Sequence, residues 1–162
     1  MERHLPGVEE VRKIIEEKDR VLKLFGMEIL SLKEGESVVR MKVGDGHLMA
    51  AGYCHGGAIF SLADVAFALA CNSHGTLALA LDMSISFLRS VKPGAVLTAR
   101  CRERYLGKST GCYEIEVLND GGELVSFLKA TAFRKNVPVP TDGTSRAGDD
   151  AGTRPSAGNH AK

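Results

Sequence analysis

Several features are scarce in this sequence, and each absence closes off a class of protein. Net charge is nearly missing: 21 Lys and Arg stand against 20 Asp and Glu, leaving +1. That balance gives no electrostatic footprint for nucleic acid and no general pull toward anionic membranes. Long apolar runs are missing too. The longest spans residues 58–71, short of the ~20 residues a membrane helix needs, and it is interrupted by Asp64. Paired cysteines are missing: Cys54, Cys71, Cys101 and Cys112 form no CxxC, and no His stands at zinc-finger spacing from them. Residues 1–6 carry no apolar signal-peptide core. These features together predict four free thiols in a reducing cytoplasm. Finally, residues 141–162 contain no large apolar side chain. Such a segment cannot bury enough surface to offset its ordering entropy. The sequence therefore predicts one domain over residues 1–136 and a disordered tail over 137–162.

What is present suits a single soluble domain. The chain has 162 residues, with 44% apolar and 25% charged. Residues 8–25 place Val8, Val11, Ile14, Ile15, Leu22 and Phe25 at helical spacing, with Glu and Lys between them. Two short strands follow, over 27–33 and 37–43, around a Glu34-Gly35-Glu36 turn. An apolar helix is expected from 56 to 72, with Gly75 as its C-terminal stop. Beyond it the period changes to two. Strands are expected over 77–88, 95–105, 112–118 and 123–134, the last pair joined at Asn119-Asp120-Gly121-Gly122. A helix that is apolar all round needs covering on every side. The expected fold is thus α+β: an antiparallel sheet wrapped around a long central helix.

Chemistry concentrates between Gly52 and Asp64. Gly56 and Gly57 open the apolar helix, where the first backbone N–H groups lack partners and the dipole is positive. Such donors suit a carbonyl oxygen becoming an oxyanion; an ordinary helix start is the plainer reading. Asp64 is the only charged residue between Ala58 and Asn72. Burial raises a carboxyl pKa and can prepare a general base; a structural Asp satisfied by a neighbouring strand is the alternative. Gly56 and Asp64 are eight residues apart, about 12 Å along one helix. They cannot both reach one small carbonyl. If both act on one substrate, they come from different chains of a two-fold dimer.

The segment His55-Gly56-Gly57-x-x-x-x-Leu62-Ala63-Asp64-x-Ala66 closely resembles the signature of hotdog-fold thioesterases of the phenylacetic acid degradation (PaaI) type. Further stretches agree: Cys71-Asn72-Ser73, then Ile85-Ser86-Phe87-Leu88-Arg89 with Pro93-Gly94, then residues 107–117 beginning Gly107-Lys108-Ser109. The resemblance covers residues 10–135. It implies a hotdog fold and hydrolysis of acyl-CoA, favouring aryl-acetyl thioesters. It implies that Asp64 is nucleophile or general base, that Gly56 N–H polarises the thioester carbonyl, and that His55 lines the site. It implies dimers that pair into tetramers, with no metal and no cofactor beyond the coenzyme A of the substrate. One departure stands out: many members carry Asn six residues before the motif histidine, and this chain has Met49.

Other residues take their places around this core. Gly57, Phe60 and Ser73 are candidates for substrate binding. Arg89 and Lys108 are candidates for the coenzyme A phosphates, with Gly107 and Ser109 adding backbone contacts. The row Arg100, Arg102, Arg104 alternates as an outer sheet face should. Cys54 adjoins the motif, but no neighbour marks it as an activated thiolate. Two rival functions use the same residues. One is a hotdog enoyl-CoA hydratase or dehydratase with His55 and Asp64 across the acyl chain. The other is a non-catalytic acyl-CoA sensor, which would have no need of a costly buried carboxylate.

Overall fold

The computed structural model describes residues 4–141. The apolar spacing near the N-terminus makes two helices rather than one: α1, Val8–Lys18, and α2, Arg20–Leu24. Asp19 is the reason. Its backbone is extended, and its side chain accepts the Leu22 N–H at 2.9 Å, which caps α2 and ends α1. Val11 and Leu22 are the buried residues of the two pieces.

Strands β1, Glu28–Lys33, and β2, Glu36–Lys42, form the first hairpin. Helix α3 then runs Gly56–Asn72, the bounds expected. Four strands follow: β3, Thr76–Phe87; β4, Val96–Leu106; β5, Thr110–Leu118; and β6, Leu124–Pro138. They form one antiparallel sheet ordered β1-β2-β4-β5-β6-β3. The four later strands do not make a plain meander. β3 skips to the far edge and pairs with β6, so among the described residues no strand pairs with its outer side.

The sheet curves over α3, which touches β1 to β6 and, on its other flank, α1 and α2. Alternation supplies the inner face: Leu97, Ala99 and Cys101 from β4, and Tyr113, Ile115 and Val117 from β5, are all buried. Their neighbours point outward, where Arg102 meets Glu36 at 3.4 Å and Arg104 meets Glu114 at 3.1 Å. Polar ties hold helix to sheet. The Ser37 hydroxyl donates to the Ala66 carbonyl at 2.6 Å. Asn72 closes the α3–β3 turn by accepting the Ala78 N–H at 2.9 Å and donating to the Ala78 carbonyl at 3.1 Å. Gly75 sits in that turn at φ +74, where a Cβ would lie 2.4 Å from the Pro6 carbonyl oxygen. Only glycine fits there.

The domain runs past residue 136. Pro138 pairs with Thr76, and buried Val139 donates its N–H to the Gly75 carbonyl. The polar pair Lys135-Asn136 hides this extension from a pattern search, because pairing with β3 rather than apolar alternation holds it. Residues 142–162, the rest of the expected tail, lie outside the described residues. No helix among the described residues is long and apolar enough to cross a membrane.

Asn72→Ala would strip both partners from the buried Ala78 backbone. We expect a loss of about 2 kcal/mol in urea unfolding; an unchanged midpoint would show the turn is held by other contacts.

Candidate active site

Helix α3 carries both chemical ends of the motif and keeps them apart. At its start His55 has an extended backbone, and its Nδ1 accepts the Gly57 N–H at 2.8 Å. The imidazole is therefore the helix cap, and its remaining proton sits on Nε2. The Gly57 N–H is consumed by this cap. The Gly56 N–H has no hydrogen-bond partner among the described residues. It is the free donor at the positive end of the helix.

The Phe87 ring, at the end of β3, lies against Gly56; a Cβ on Gly56 would stand 3.0 Å from its Cζ. Together they wall an open cavity of about 500 Å³ with Met49, Tyr53, Ile59 and Arg89. Met49, which replaces the usual Asn, thus gives this cavity an apolar side.

Asp64 lies two turns further on, in a different cavity of about 300 Å³. Phe67, Cys71, Leu77 and Leu79 line it, with Ile15 of α1 closing one flank. Asp64 has no hydrogen-bond or ion-pair partner among the described residues. Burial pushes its carboxyl pKa up, and the Asp19 carboxylate at the α1–α2 break adds to the rise. The neighbouring Cys71 thiol is pushed up to about 12, by burial first and by Asp64 second, so it is no nucleophile. Cys54 is also raised by burial.

The structure sorts the other candidates between these ends. Arg89 lines the Gly56 cavity and donates to the Leu124 carbonyl at 2.9 Å, with an exposed 3.5 Å contact to Glu123. Gly107, Lys108 and Ser109 form the β4–β5 turn at the opposite end. Arg134 braces it by donating from Nη1 to the Gly107 carbonyl at 2.9 Å and from its backbone to the Ser109 carbonyl. That turn stands beside Phe133, which pairs with Leu79 of the Asp64 cavity.

Three expectations change. Ser73 is buried, and its hydroxyl is spent donating to the Ala70 carbonyl at 2.7 Å and accepting the Gly35 N–H at 2.8 Å. It closes α3 and lines neither the Gly56 nor the Asp64 cavity. Phe60 packs against the core and walls neither the Gly56 nor the Asp64 cavity. His55 and Gly57 border a third cavity with Phe25, His47 and Ser61, on the other flank of α3 from Phe87. Residues passed over by sequence reasoning include Leu77 and Leu79, whose positions on an edge strand beside Asp64 no alternation pattern reveals.

Comparison with known proteins gives the family and the fold. The thioesterase superfamily profile matches residues 51–126. The acyl-coenzyme A thioesterase PaaI of Escherichia coli is 43% identical over 118 residues, 73% of this chain and 84% of that protein. The chain belongs to the thioesterase superfamily. A relative from Archaeoglobus fulgidus is 44% identical over 133 residues, 82% of this chain and 86% of that protein. The solved structure of E. coli PaaI, from the phenylacetic acid degradation operon, superposes with a TM-score of 0.80 at 38% identity, covering 82% of this chain and 96% of that one. A Streptococcus mutans structure bound to acetyl CoA superposes at 0.67 with 30% identity, over 70% of this chain and 91% of that one. The sheet around α3 is accordingly the hotdog fold. The stretch matched to the thioesterase superfamily holds Gly56, Asp64 and the β4–β5 turn, and leaves α1 and α2 outside.

The raised Asp64 pKa gives a signed prediction. The folded state holds the proton more tightly than the unfolded chain, so this group's contribution is full below the unfolded carboxyl value and is lost as pH rises through the folded one. Asp64→Asn removes that loss. The melting temperature of the variant minus that of the parent should grow from pH 4 to pH 7; a flat difference would show that Asp64 is not desolvated.

Proposed function

We propose that this chain is an acyl-CoA thioesterase acting on aryl-acetyl, phenylacetyl-like thioesters, with each active site shared between two subunits. The observation that carries the reading is the placement of Gly56 and Asp64 in separate cavities at opposite ends of β3, whose outer edge is unpaired. Leu79, Leu81 and Phe87 on that strand are exposed at 47%, 63% and 53%. A bare apolar edge invites another strand. Pairing β3 with a second copy about its midpoint lays the Phe87 end of one strand against the Thr76 end of the other. The Gly56 cavity of each subunit then opens onto the Asp64 cavity of its neighbour. This also brings Arg89 of one chain and the β4–β5 turn of the other to the same site, where cationic groups can meet coenzyme A phosphates. The E. coli thioesterase and the acetyl-CoA-bound S. mutans structure support the substrate class.

In this site the thioester carbonyl accepts a hydrogen bond from Gly56 N–H of the partner subunit. Asp64 removes a proton from water as it adds to the carbonyl carbon, the C–S bond breaks, and the departing thiolate takes the proton. Alternatively Asp64 attacks, expelling the thiolate, and water opens the resulting anhydride. Both routes use a carboxylate with raised proton affinity and an oxyanion donor. Neither calls for a metal or a further cofactor. Four free cysteines suit a cytoplasmic enzyme, and a dimer of dimers is the assembly proposed.

Thiol release from phenylacetyl-CoA tests the reaction, with enoyl-CoA hydration as the competing readout. Asp64→Asn should lower kcat by about 10²–10⁴-fold. Gly56→Pro removes the N–H at a position where proline is accepted in a helix, and the extended His55 suits the residue before it. It should cost about 10²–10³-fold. Its ring also presses on Phe87, 3.0 Å from Cζ at the Cβ, so Gly56→Ala, which adds that Cβ and keeps the N–H, is the control and should retain far more activity. Co-refolding the two dead variants should restore about a quarter of parental activity, since half the dimers are mixed and each has one intact site. A mixture that stays inactive would place both groups on one chain.

A further inference from the structure

Behind the Asp64 cavity lies a polar cluster that the reaction above does not use. Tyr113 on β5 is buried, and its hydroxyl donates to Glu103 Oε2 at 2.6 Å. The same oxygen meets His74 Nε2 at 2.9 Å. Burial and this carboxylate push the phenol pKa far up, so the hydroxyl stays a donor. Gly111 packs flat on the Tyr113 ring, where a Cβ would lie 2.9 Å from Cε2. Glu103 is confined in turn by Gly35, whose Cβ would stand 2.9 Å from that of Glu103. The tyrosine therefore has one position.

That position is transmitted. The Tyr113 ring meets Phe67 edge-on, with centroids 5.3 Å apart and planes at 70°. Phe67 is 1% exposed and lines the Asp64 cavity three residues after the aspartate itself. This half of the shared site has a volume of about 300 Å³, and Phe67 is among the residues that bound it next to Asp64. A wall that cannot retreat sets what fits beside Asp64.

We propose that Phe67 is the residue that limits acyl size in this enzyme, and that Tyr113, anchored on Glu103, is a positioning residue that holds Phe67 in place. The favoured acyl group is then a short or single-ring one, and long flexible chains are excluded at this wall. The proposal rests on the thioesterase reading and extends it to substrate choice. A tyrosine whose hydroxyl finds an anionic partner costs little to keep in a core. A phenylalanine there would fill the same space without the tether, so the hydroxyl marks a need for fixed position.

The test compares kcat and KM for acetyl-, phenylacetyl- and decanoyl-CoA in the parent, Phe67→Leu, Tyr113→Phe and Glu103→Gln. Phe67→Leu should shift the kcat/KM ratio of decanoyl- over phenylacetyl-CoA upward by about tenfold, and Tyr113→Phe by about threefold through KM; for Tyr113→Phe, kcat on acetyl-CoA should stay within about twofold. Glu103→Gln keeps an acceptor for the hydroxyl and should keep the parental ratio. If Phe67→Leu fails to fold, Tyr113→Phe against Glu103→Gln still decides. Parental ratios in Phe67→Leu and Tyr113→Phe, or equal losses on all three substrates, would overturn the proposal while leaving the thioesterase reading intact. A parent that hydrolyses none of the three would overturn both.

Discussion

A helix with apolar side chains on nearly every face cannot stand in water. Most of this structure follows from covering α3. The curved sheet takes its largest face, with the inward rows of β4 and β5 packed on it. The α1–α2 pair takes part of the other side, with Val11 and Leu22 turned in. Coverage stops along the flank that holds Gly56 and Asp64, beside the unpaired edge of β3. The proposed site is this flank of the helix, which the described residues of one chain leave open.

Rigidity is what turns a sequence distance into the argument for the proposed assembly. A loop would allow the glycine and the aspartate to swing together. A helix holding eleven buried residues does not. The two groups stay about 12 Å apart along its axis, and each opens into its own cavity. Because β3 runs back along α3, one end of the strand marks the donor and the other marks the acid. An antiparallel strand pair about a two-fold axis matches unlike ends. It is therefore suited to joining these half-sites, and a parallel pair is not.

How much of this the sequence discloses depends on what holds each part. The bounds of α3 are legible because its apolar content, its glycines and the Asn72–Gly75 stop all act locally. The inner faces of β4 and β5 are legible because one side is buried and the other is charged. The place of β3 is not legible: the alternation of Leu79, Leu81, Met83 and Ile85 with Ala80, Asp82 and Ser84 marks a strand but not its neighbour, and strand order is a long-range fact. The break at Asp19 escapes the periodic pattern because one side-chain cap outweighs the apolar spacing. Ser73 shows a different limit. Its neighbours match a family signature, yet its hydroxyl ties the end of α3 to the β1–β2 turn through the Gly35 N–H. A motif residue can belong to the scaffold of a site rather than to its chemistry. His55 illustrates the same point in part, as it caps α3 through the Gly57 N–H and thereby leaves the Gly56 N–H, the proposed oxyanion donor, free.

The state of Asp64 links these threads. A carboxylate in this position could be made comfortable by a single arginine or a pair of backbone donors, which would lower its pKa and stabilise the fold. The chain supplies neither among its described residues, and Asp19 adds a repelling charge instead. By contrast, Glu103 has two donors on one oxygen and serves structure. The two acids stand on either side of the same Phe67–Tyr113 contact and differ in what satisfies them. The satisfied one fixes the wall. Asp64, half-buried and without a protein partner among the described residues, keeps its lone pairs open to solvent and its proton affinity raised. In the reaction proposed above, this open and partly desolvated carboxylate is the group that takes the proton of water or attacks the thioester.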